Sequence, residues 1–453
     1  MYVRNDMSRD SRVIREARSL VAAGHEVTVM ATPRMPDEPD GTREERDGFA
    51  VVHVRIPAGR PMWTVWIDRP WKVVGRLTAL IRGSLRRPSL LPRALLLAAV
   101  VVVSLPWMAL RFAWLALRGD LRHDPTQRTW PAYLGWWGGP IRGWQRRCTA
   151  LAPVADVHHG HDLDALQAAA DGARRDGAAL VYDSHEVFMA WGEHARQPWF
   201  VRRLIGGRER RFARQAAAVV TVNHACAAEL TRRLGPRQMV VVHNCPPRWT
   251  PPVPPTELLR RAAGVPEGTA IVLCHGGFQA GRGLEETAEA LTRPGLTDCH
   301  LVFLGYRQSY LDSIVADPRL AGRVHVLDPV SPDDLLDWVT GADVDVMVFG
   351  AVDLNHVVST PNKLFESLAA GVPVVSSDFP ARRSIVIDDP LGPLGAVCDP
   401  DSVDSIADAI RSILDRPTDE RANLRARCLT AAHERWNWET ESARLVALYA
   451  AIA

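Results

Sequence analysis

Short, valine-rich apolar runs alternate with helical stretches along most of this 453-residue chain, and that alternation limits the fold more than any other feature. Repeated strand–helix units pair their strands in parallel and cover both faces of the sheet. Arg12 to Ala23 has helical periodicity, with Val13, Ala17, Leu20 and Val21 on one face. Gly24 closes that helix, and Val27 to Met30 follows as a buried strand. Ala50 to Val54 is another strand. Only Met1 to Arg4 is available for a strand ahead of the first helix, so that strand is short or the true start lies upstream. The rhythm stops for roughly ninety residues and resumes near Val154 to His159. A helix over Leu163 to Ala173 follows, then a strand over Ala179 to Tyr182 that ends at Asp183-Ser184-His185-Glu186. After an arginine-rich helix through Glu209 come strands over Ala218 to Val222 and Met239 to Val242.

Pro246-Pro247 and the proline cluster at 251–255 form a stiff linker. Beyond it the rhythm restarts, with strands over Ala270 to Cys274, His300 to Leu304, Val324 to Leu327, Val344 to Phe349 and Pro373 to Ser376, and a helix over Leu284 to Leu291. The expected class is therefore α/β, with two Rossmann-like domains facing a ligand cleft at the carboxyl ends of their strands. The boundaries read as 1–245 for the first domain, 246–256 for the linker and 257–435 for the second. A last helix within 436–453 is expected to cross back onto the first domain.

The interruption, about 58–148, is unlike the rest. Between Arg60 and Arg147 stand fifteen Arg/Lys and three Asp, a local charge of +12 that leaves about −10 on the remainder of a chain whose total is +2. Nine of the fifteen tryptophans lie between Trp63 and Trp144. Ala94 to Leu110 carries no charge over seventeen residues and contains Pro106, which is short for a membrane span. Tryptophan and arginine around an apolar stretch suit an anionic membrane surface or a lipid-linked acceptor. A buried helical hairpin is the plainer alternative. Bulk charge gives no reason to expect nucleic acid. The seven cysteines form no CxxC pair, so neither a disulfide framework nor a zinc site is indicated. The start, Met1 to Asp6, turns polar at once and does not read as a signal peptide. The expected location is cytoplasmic, peripheral on the inner face of the membrane.

Two lysines stand against fifty-two arginines, Lys72 and Lys363. Lys363 lies in Ser359-Thr360-Pro361-Asn362-Lys363-Leu364-Phe365-Glu366, followed by Ser367 to Val375. Ser359-Thr360-Pro361 reads as an N-cap with proline in the first turn. A helix N-terminus suits a diphosphate, Lys363 adds a compact charge, and Glu366 sits three residues on along the same face. A capping box plus core packing is the bland alternative. The stretch closely resembles the donor-site motif of family 4 retaining glycosyltransferases, which have the GT-B fold. The resemblance implies a nucleoside-diphosphate sugar as co-substrate, no further cofactor, and Glu366 on the ribose hydroxyls. His275-Gly276-Gly277-Phe278-Gln279-Ala280-Gly281-Arg282 is a second match. Its glycines let backbone approach a ligand, and Arg282 joins Lys363 in a clamp for the leaving group.

By the same resemblance His185 contacts the transferred sugar, and Pro329 and Val330, after Asp328, contact the base through backbone. Asp10, His161, Asp162 and Glu186 are acceptor-side candidates. The pattern also departs from the family. Val358 occupies the place of an earlier glutamate, Gly277 that of an arginine, and the loop from Arg4 to Ser11 that of a glycine-rich one. Asp343-Val344-Asp345 enters a buried strand and reads as structural, as does Asp162-Leu163-Asp164, so no metal is expected. The leading expectation is transfer to a lipid-linked or amphiphilic acceptor. A sugar-nucleotide epimerase, a soluble transferase acting on a small natural product and a non-catalytic docking module of the same fold are the alternatives.

Overall fold

The computed structural model describes residues 1–8, 10–35, 37–57, 70–84, 87–99, 101–102, 105–106, 129–279 and 281–452. They divide into two compact units, one of Met1–Asp10, Val27–Leu180 and Gly192–Phe212, the other of Ser11–Glu26, Val181–Trp191 and Ala213–Ala453. The strands in chain order are β1 (Thr28–Ala31), β2 (Thr42–Arg46), β3 (Phe49–His53), β4 (Val157–His161), β5 (Ala179–Ser184), β6 (Ala218–Thr221), β7 (Met239–Val241), β8 (Ile271–His275), β9 (His300–Leu304), β10 (Val324–Leu327), β11 (Val344–Met347), β12 (Val374–Ser377) and β13 (Gly395–Cys398).

In the first unit β1 pairs in parallel with β3, and β2 runs antiparallel on the other side of β3. The strand expected at Met1 to Arg4 is reduced to a single bridging residue. Tyr2 bridges Met30 on one side and Gly160 on the other, and its N–H donates to His159 O at 2.8 Å. Part of the basic, tryptophan-rich interruption is core rather than surface. Helix Trp130–Trp136, the π-helical turn Trp137–Ile141 and helix Arg142–Leu151 bury Tyr133, Trp137, Ile141 and Trp144, and Tyr133 Oη shares a hydrogen bond with His194 Nδ1 at 2.8 Å. For Trp137 and Trp144 the interfacial reading is therefore corrected, because aromatic area of that size is stabilised far more by packing than by exposure. The apolar stretch Ala94 to Leu110 is described only in part. Leu91, Leu95, Leu96, Val102 and Leu105 are exposed, while Leu97 packs with Leu77, Leu80 and Val101. Among the described residues no helix is long and apolar enough to cross a membrane.

In the second unit β5, β6 and β7 run parallel, with Val181 opposite Ala218 and Val219 opposite Met239. A second parallel sheet has six strands in the order β10-β9-β8-β11-β12-β13. Its central strands are covered on both faces, which is why Leu273, Val302, Val346 and Val375 are buried and the sequence there reads as unbroken apolar runs. Helices Asn362–Ala369, Val403–Leu414 and Thr418–Glu434 contribute Leu364, Leu368, Ile410 and Cys428 to that core. The chain closes with helix Trp438–Ile452, which packs along Ser11–Ala22 and donates from Trp438 Nε1 to Ser19 Oγ at 2.8 Å.

Candidate active site

The site is built where β8 and β11 end. After His275 the chain turns through Gly276 (φ +94°), Gly281 (φ +80°) and Gly283 (φ +62°), left-handed values that side chains resist. Gly283 has a second reason to be glycine: a Cβ there would lie 2.3 Å from Val348 O. Gly276 donates to Leu304 O at 2.9 Å, which fastens the loop to β9. A Cβ at Gly277 would meet only Arg282 Nη1, at 4.0 Å, so the loop stands open at that position.

Three cations gather on one aromatic ring. The Arg282 guanidinium lies 5.0 Å from the Phe349 centroid, Lys363 Nζ 5.4 Å and the Arg382 guanidinium 4.5 Å, all within cation–π range. Burial lowers the pKa of each, and for Arg382 the charge of Arg282 adds to the effect. Lys363 is only 6% exposed, and Asp345 is the nearby carboxylate that supports its charge. Arg382 is fully buried; its Nη2 donates to His356 O at 2.6 Å and its Nε to Ser359 O at 3.3 Å, while Nη1 has no partner. Packed cations that lack matching carboxylates repel one another, and an anion between them relieves the cost.

Helix Asn362–Ala369 begins beside this cluster, and its first N–H groups have no intrahelical acceptor. Pro361 itself is the N-cap, in extended conformation, so the expected Ser359–Thr360 cap is not formed. Ser359 instead ends helix Leu354–Val358, and Thr360 Oγ1 accepts from Asn223 Nδ2 at 3.1 Å. Asn362 Oδ1 accepts from Asn244 Nδ2 at 2.8 Å, and Asn244 in turn accepts from Arg15. The Leu364 side chain is core. Pro329 and Val330 follow the end of β10; Pro329 is exposed and Val330 packs on the core.

Glu366 turns one oxygen, Oε2, to His275 Nε2 at 3.1 Å, and its side chain is 24% exposed. Asp345 Oδ2 stands 3.1 Å from the other ring nitrogen as an ion pair without hydrogen-bond alignment. Burial by itself pushes the His275 pKa down, but the two carboxylates, Asp345 first, outweigh it and hold the value at about 9. Asp343 accepts from Ile271 N at 2.8 Å, so both acids of the Asp-Val-Asp stretch serve the sheet and the histidine.

His185 lies in the same unit, at the end of β5, with Nε2 3.5 Å from Asp183 Oδ2. Asp183 is gripped by Arg12 through Nε at 2.8 Å and Nη2 at 3.1 Å. Glu16, 3.0 Å from Arg12, has its pKa raised by burial and then by Asp183. Asn355 holds the next residue, donating to Glu186 Oε2 at 2.6 Å and accepting from Val187 N at 3.2 Å. The remaining candidates belong to the first unit. Asp10 accepts from Asn5 at 2.7 Å, His161 is buried and stacked on His159 at 4.3 Å, and Asp162 starts a helix at φ +58°. Asp164 pairs with Arg4 at 2.5 Å.

Sequence reasoning missed Arg12, Asp183, His275, Phe349, Asn355 and Arg382 as parts of this arrangement. Arg382 had a usable signal. It shares a helical face with Ile385 and Val386, where a charge is out of place unless it has a task.

The family described as Glycosyltransferase Family 4 matches residues 100–245, and the one described as Glycosyl transferases group 1 matches residues 269–416. Between them they cover more than half of the chain. The chain is a family 4 glycosyltransferase. The D-inositol 3-phosphate glycosyltransferase of Xylanimonas cellulosilytica is 28% identical over 314 residues, spanning 65% of this chain and 72% of that enzyme. The sucrose-phosphate synthase of Thermosynechococcus elongatus shares the GT-B fold at a TM-score of 0.63 and 16% identity, over 97% of this chain and 92% of its own. Anabaena Alr3699/HepE in complex with UDP-glucose shares it at a TM-score of 0.54 and 16% identity, over 70% of this chain and 83% of its own. In this glycosyltransferase the three-cation cluster, His275 and Glu366 all fall inside the 269–416 match, and Asp183, His185 and Glu186 inside the 100–245 match.

Proposed function

We propose that the enzyme transfers a sugar from a nucleoside-diphosphate sugar, with retention of configuration and without a metal, to a lipid-linked or amphiphilic acceptor at the cytoplasmic membrane face. The observation that carries the donor half is the convergence of Arg282, Lys363 and Arg382 on Phe349, beside a free helix N-terminus. When the bond between the sugar's anomeric carbon and the phosphate oxygen breaks, negative charge grows on the diphosphate. Fixed cations in a dry setting stabilise that charge more than they stabilise the bound donor. Glu366, with one oxygen held by His275 and its side chain partly exposed, suits the paired hydroxyls of a ribose. HepE, which shares the fold, is known in complex with UDP and with UDP-glucose, which supports the same kind of donor here. His185, carried on a carboxylate fixed by Arg12, suits a contact to the transferred sugar.

The acceptor half rests on the basic, tryptophan-rich interruption and the exposed leucines within it. A second reading has its own support. The D-inositol 3-phosphate glycosyltransferases and the sucrose-phosphate synthase are named for phosphorylated polyols and sugars, which favours a small phosphorylated acceptor. The test is a screen of UDP-, GDP- and dTDP-sugars against inositol phosphate, hexose phosphates and polyprenyl-linked glycans, read by mass. Product on the polyprenyl carrier supports the first reading, and product on a sugar or inositol phosphate the second. Folded enzyme that neither transfers nor hydrolyses any donor overturns both.

A further inference from the structure

We infer that His275, wedged between Asp345 and Glu366, is a positioning residue. It fixes one oxygen of Glu366 and thereby sets how strongly the site prefers a ribose nucleotide over its 2′-deoxy counterpart. The inference rests on the donor reading above and adds to it the residue that enforces sugar selectivity in the nucleotide.

The geometry is a closed ring of contacts. His275 ends β8, and Asp345 lies on the neighbouring strand β11, in register with Leu273. The His275 ring spans the gap, with Nδ1 3.1 Å from Asp345 Oδ2 and Nε2 3.1 Å from Glu366 Oε2. Ser367, next to Glu366 in the helix, returns to Asp345 with Oγ 2.6 Å from the same Oδ2. One buried aspartate thus anchors both the histidine and the helix that carries Glu366. Asp345 is fully buried and His275 1% exposed, so neither can swing to another partner. Among the described residues no side chain donates to the second oxygen of Glu366, and the side chain as a whole is 24% exposed.

The chemistry of the ring follows. Contact with two carboxylates at once needs an N–H on both nitrogens, which only the imidazolium has. Burial and the two acids together place its pKa at about 9, so it is charged at neutral pH. The charged groups that face this assembly are Asp345 from β11, Glu366 and Lys363 from helix Asn362–Ala369, and Arg15, whose field acts on Glu366, from helix Ser11–Ala22. A carboxylate held on one oxygen keeps its other lone pairs aimed, and two vicinal hydroxyls read that aim better than one. Losing a hydrogen bond to a charged group weakens binding by roughly 10- to 100-fold.

The test measures, by calorimetry, the affinities of UDP and 2′-deoxy-UDP, or of GDP and 2′-deoxy-GDP if the donor screen selects guanine. It uses the full-length enzyme, His275→Asn and His275→Gln. Asn retains a donor toward Asp345 but cannot reach Glu366, whereas Gln reaches it. Wild type is expected to prefer the ribonucleotide by roughly 10- to 100-fold. His275→Asn is expected to bring that ratio below about 3-fold while pyrophosphate affinity holds, and His275→Gln to restore part of it. In wild type alone, the ratio is expected to shrink as pH rises from 7 to 10, through the value of about 9. Unchanged discrimination in His275→Asn, or a wild-type ratio constant from pH 7 to 10, overturns the inference while leaving the donor site in place. Selection of dTDP-sugars in the screen also overturns it. Absence of any nucleoside diphosphate binding overturns the donor reading itself.

Discussion

Lys363 and Arg382 look alike as charges on one ring, yet they do different things and should fail differently. Lys363 Nζ makes no hydrogen bond among the described residues; its charge is supported at a distance by Asp345. Removing it forfeits a cation aimed at the leaving group, and losing one such donor costs about 10²–10³ in turnover. Lys363→Met is therefore expected to cut kcat by about that factor. Its melting temperature should stay within a few degrees of wild type, since a buried ammonium costs stability as much as it adds. Arg382 also holds the carbonyls of His356 and Ser359. Arg382→Met leaves both unpaired, so a loss of about 1–3 kcal/mol in urea denaturation should accompany its loss of activity. Equal melting of the two variants would count against this division of labour. His275 gives a pH signature of its own. Its folded pKa, about 9, lies above the unfolded 6.5, so the folded state holds the proton more tightly. That stabilisation is complete below about pH 6.5 and is lost as pH rises through about 9. Urea midpoints at pH 7 and 9.5 should show wild type losing more than His275→Asn over that interval.

At the scale of elements, the glycine loop after β8 is the least forgiving part of the site. Gly283→Ala puts a Cβ 2.3 Å from Val348 O at a backbone angle of φ +62°. The loop must shift, at about 1–3 kcal/mol, and carry Arg282 with it. Donor KM is expected to rise at least tenfold by steady-state kinetics, with a smaller loss at Gly277→Ala, where there is room. Elements were legible where burial imposed a pattern. Five of the six strands of the six-stranded sheet were read within a residue or two, from Ile271–His275 to Val374–Ser377, the central ones because both of their faces are covered; the edge strand Gly395–Cys398, half-buried and opened by a glycine, was missed. Strand β2, Thr-Arg-Glu-Glu-Arg, escaped because it is an edge strand with no apolar face. The Asp47-Gly48 turn that pairs it with β3, with φ +52° and +83°, was the readable signal for a hairpin. Helix Thr418–Glu434 escaped because its polar residues run around it. The site divides in the same way. His275, Arg282, Lys363 and Glu366 lie in contiguous motifs, whereas Asp345 on β11, Phe349 just beyond its end and Arg382 on a separate helix lie outside them. Only the sheet order brings these together.

On the scale of the whole molecule, charge and core divide the interruption at 58–148 into two parts with different roles. The segment from Trp130 to Leu151 buries Tyr133, Trp137, Ile141 and Trp144, so its removal would take out part of the first unit's core. The charge lies mostly elsewhere. From Arg60 to Arg128 there are twelve Arg/Lys and three Asp, a local +9, and the exposed Leu91, Leu95, Leu96, Val102 and Leu105 lie in the same stretch. Basic residues near an anionic surface contribute about 1 kcal/mol each before screening, and apolar side chains entering the headgroup layer add to that. The informative deletion therefore ends before Thr129. An enzyme with 60–128 replaced by a short glycine–serine linker should fold, melt near wild type and keep donor hydrolysis. It should no longer float with vesicles of mixed phosphatidylglycerol and phosphatidylcholine. Wild type should float with these and not with phosphatidylcholine alone, and should release as salt rises toward about 0.5 M, where surface attraction is screened. Equal flotation after the deletion, or none by wild type, would remove the membrane from the account and leave a phosphorylated soluble acceptor as the better reading.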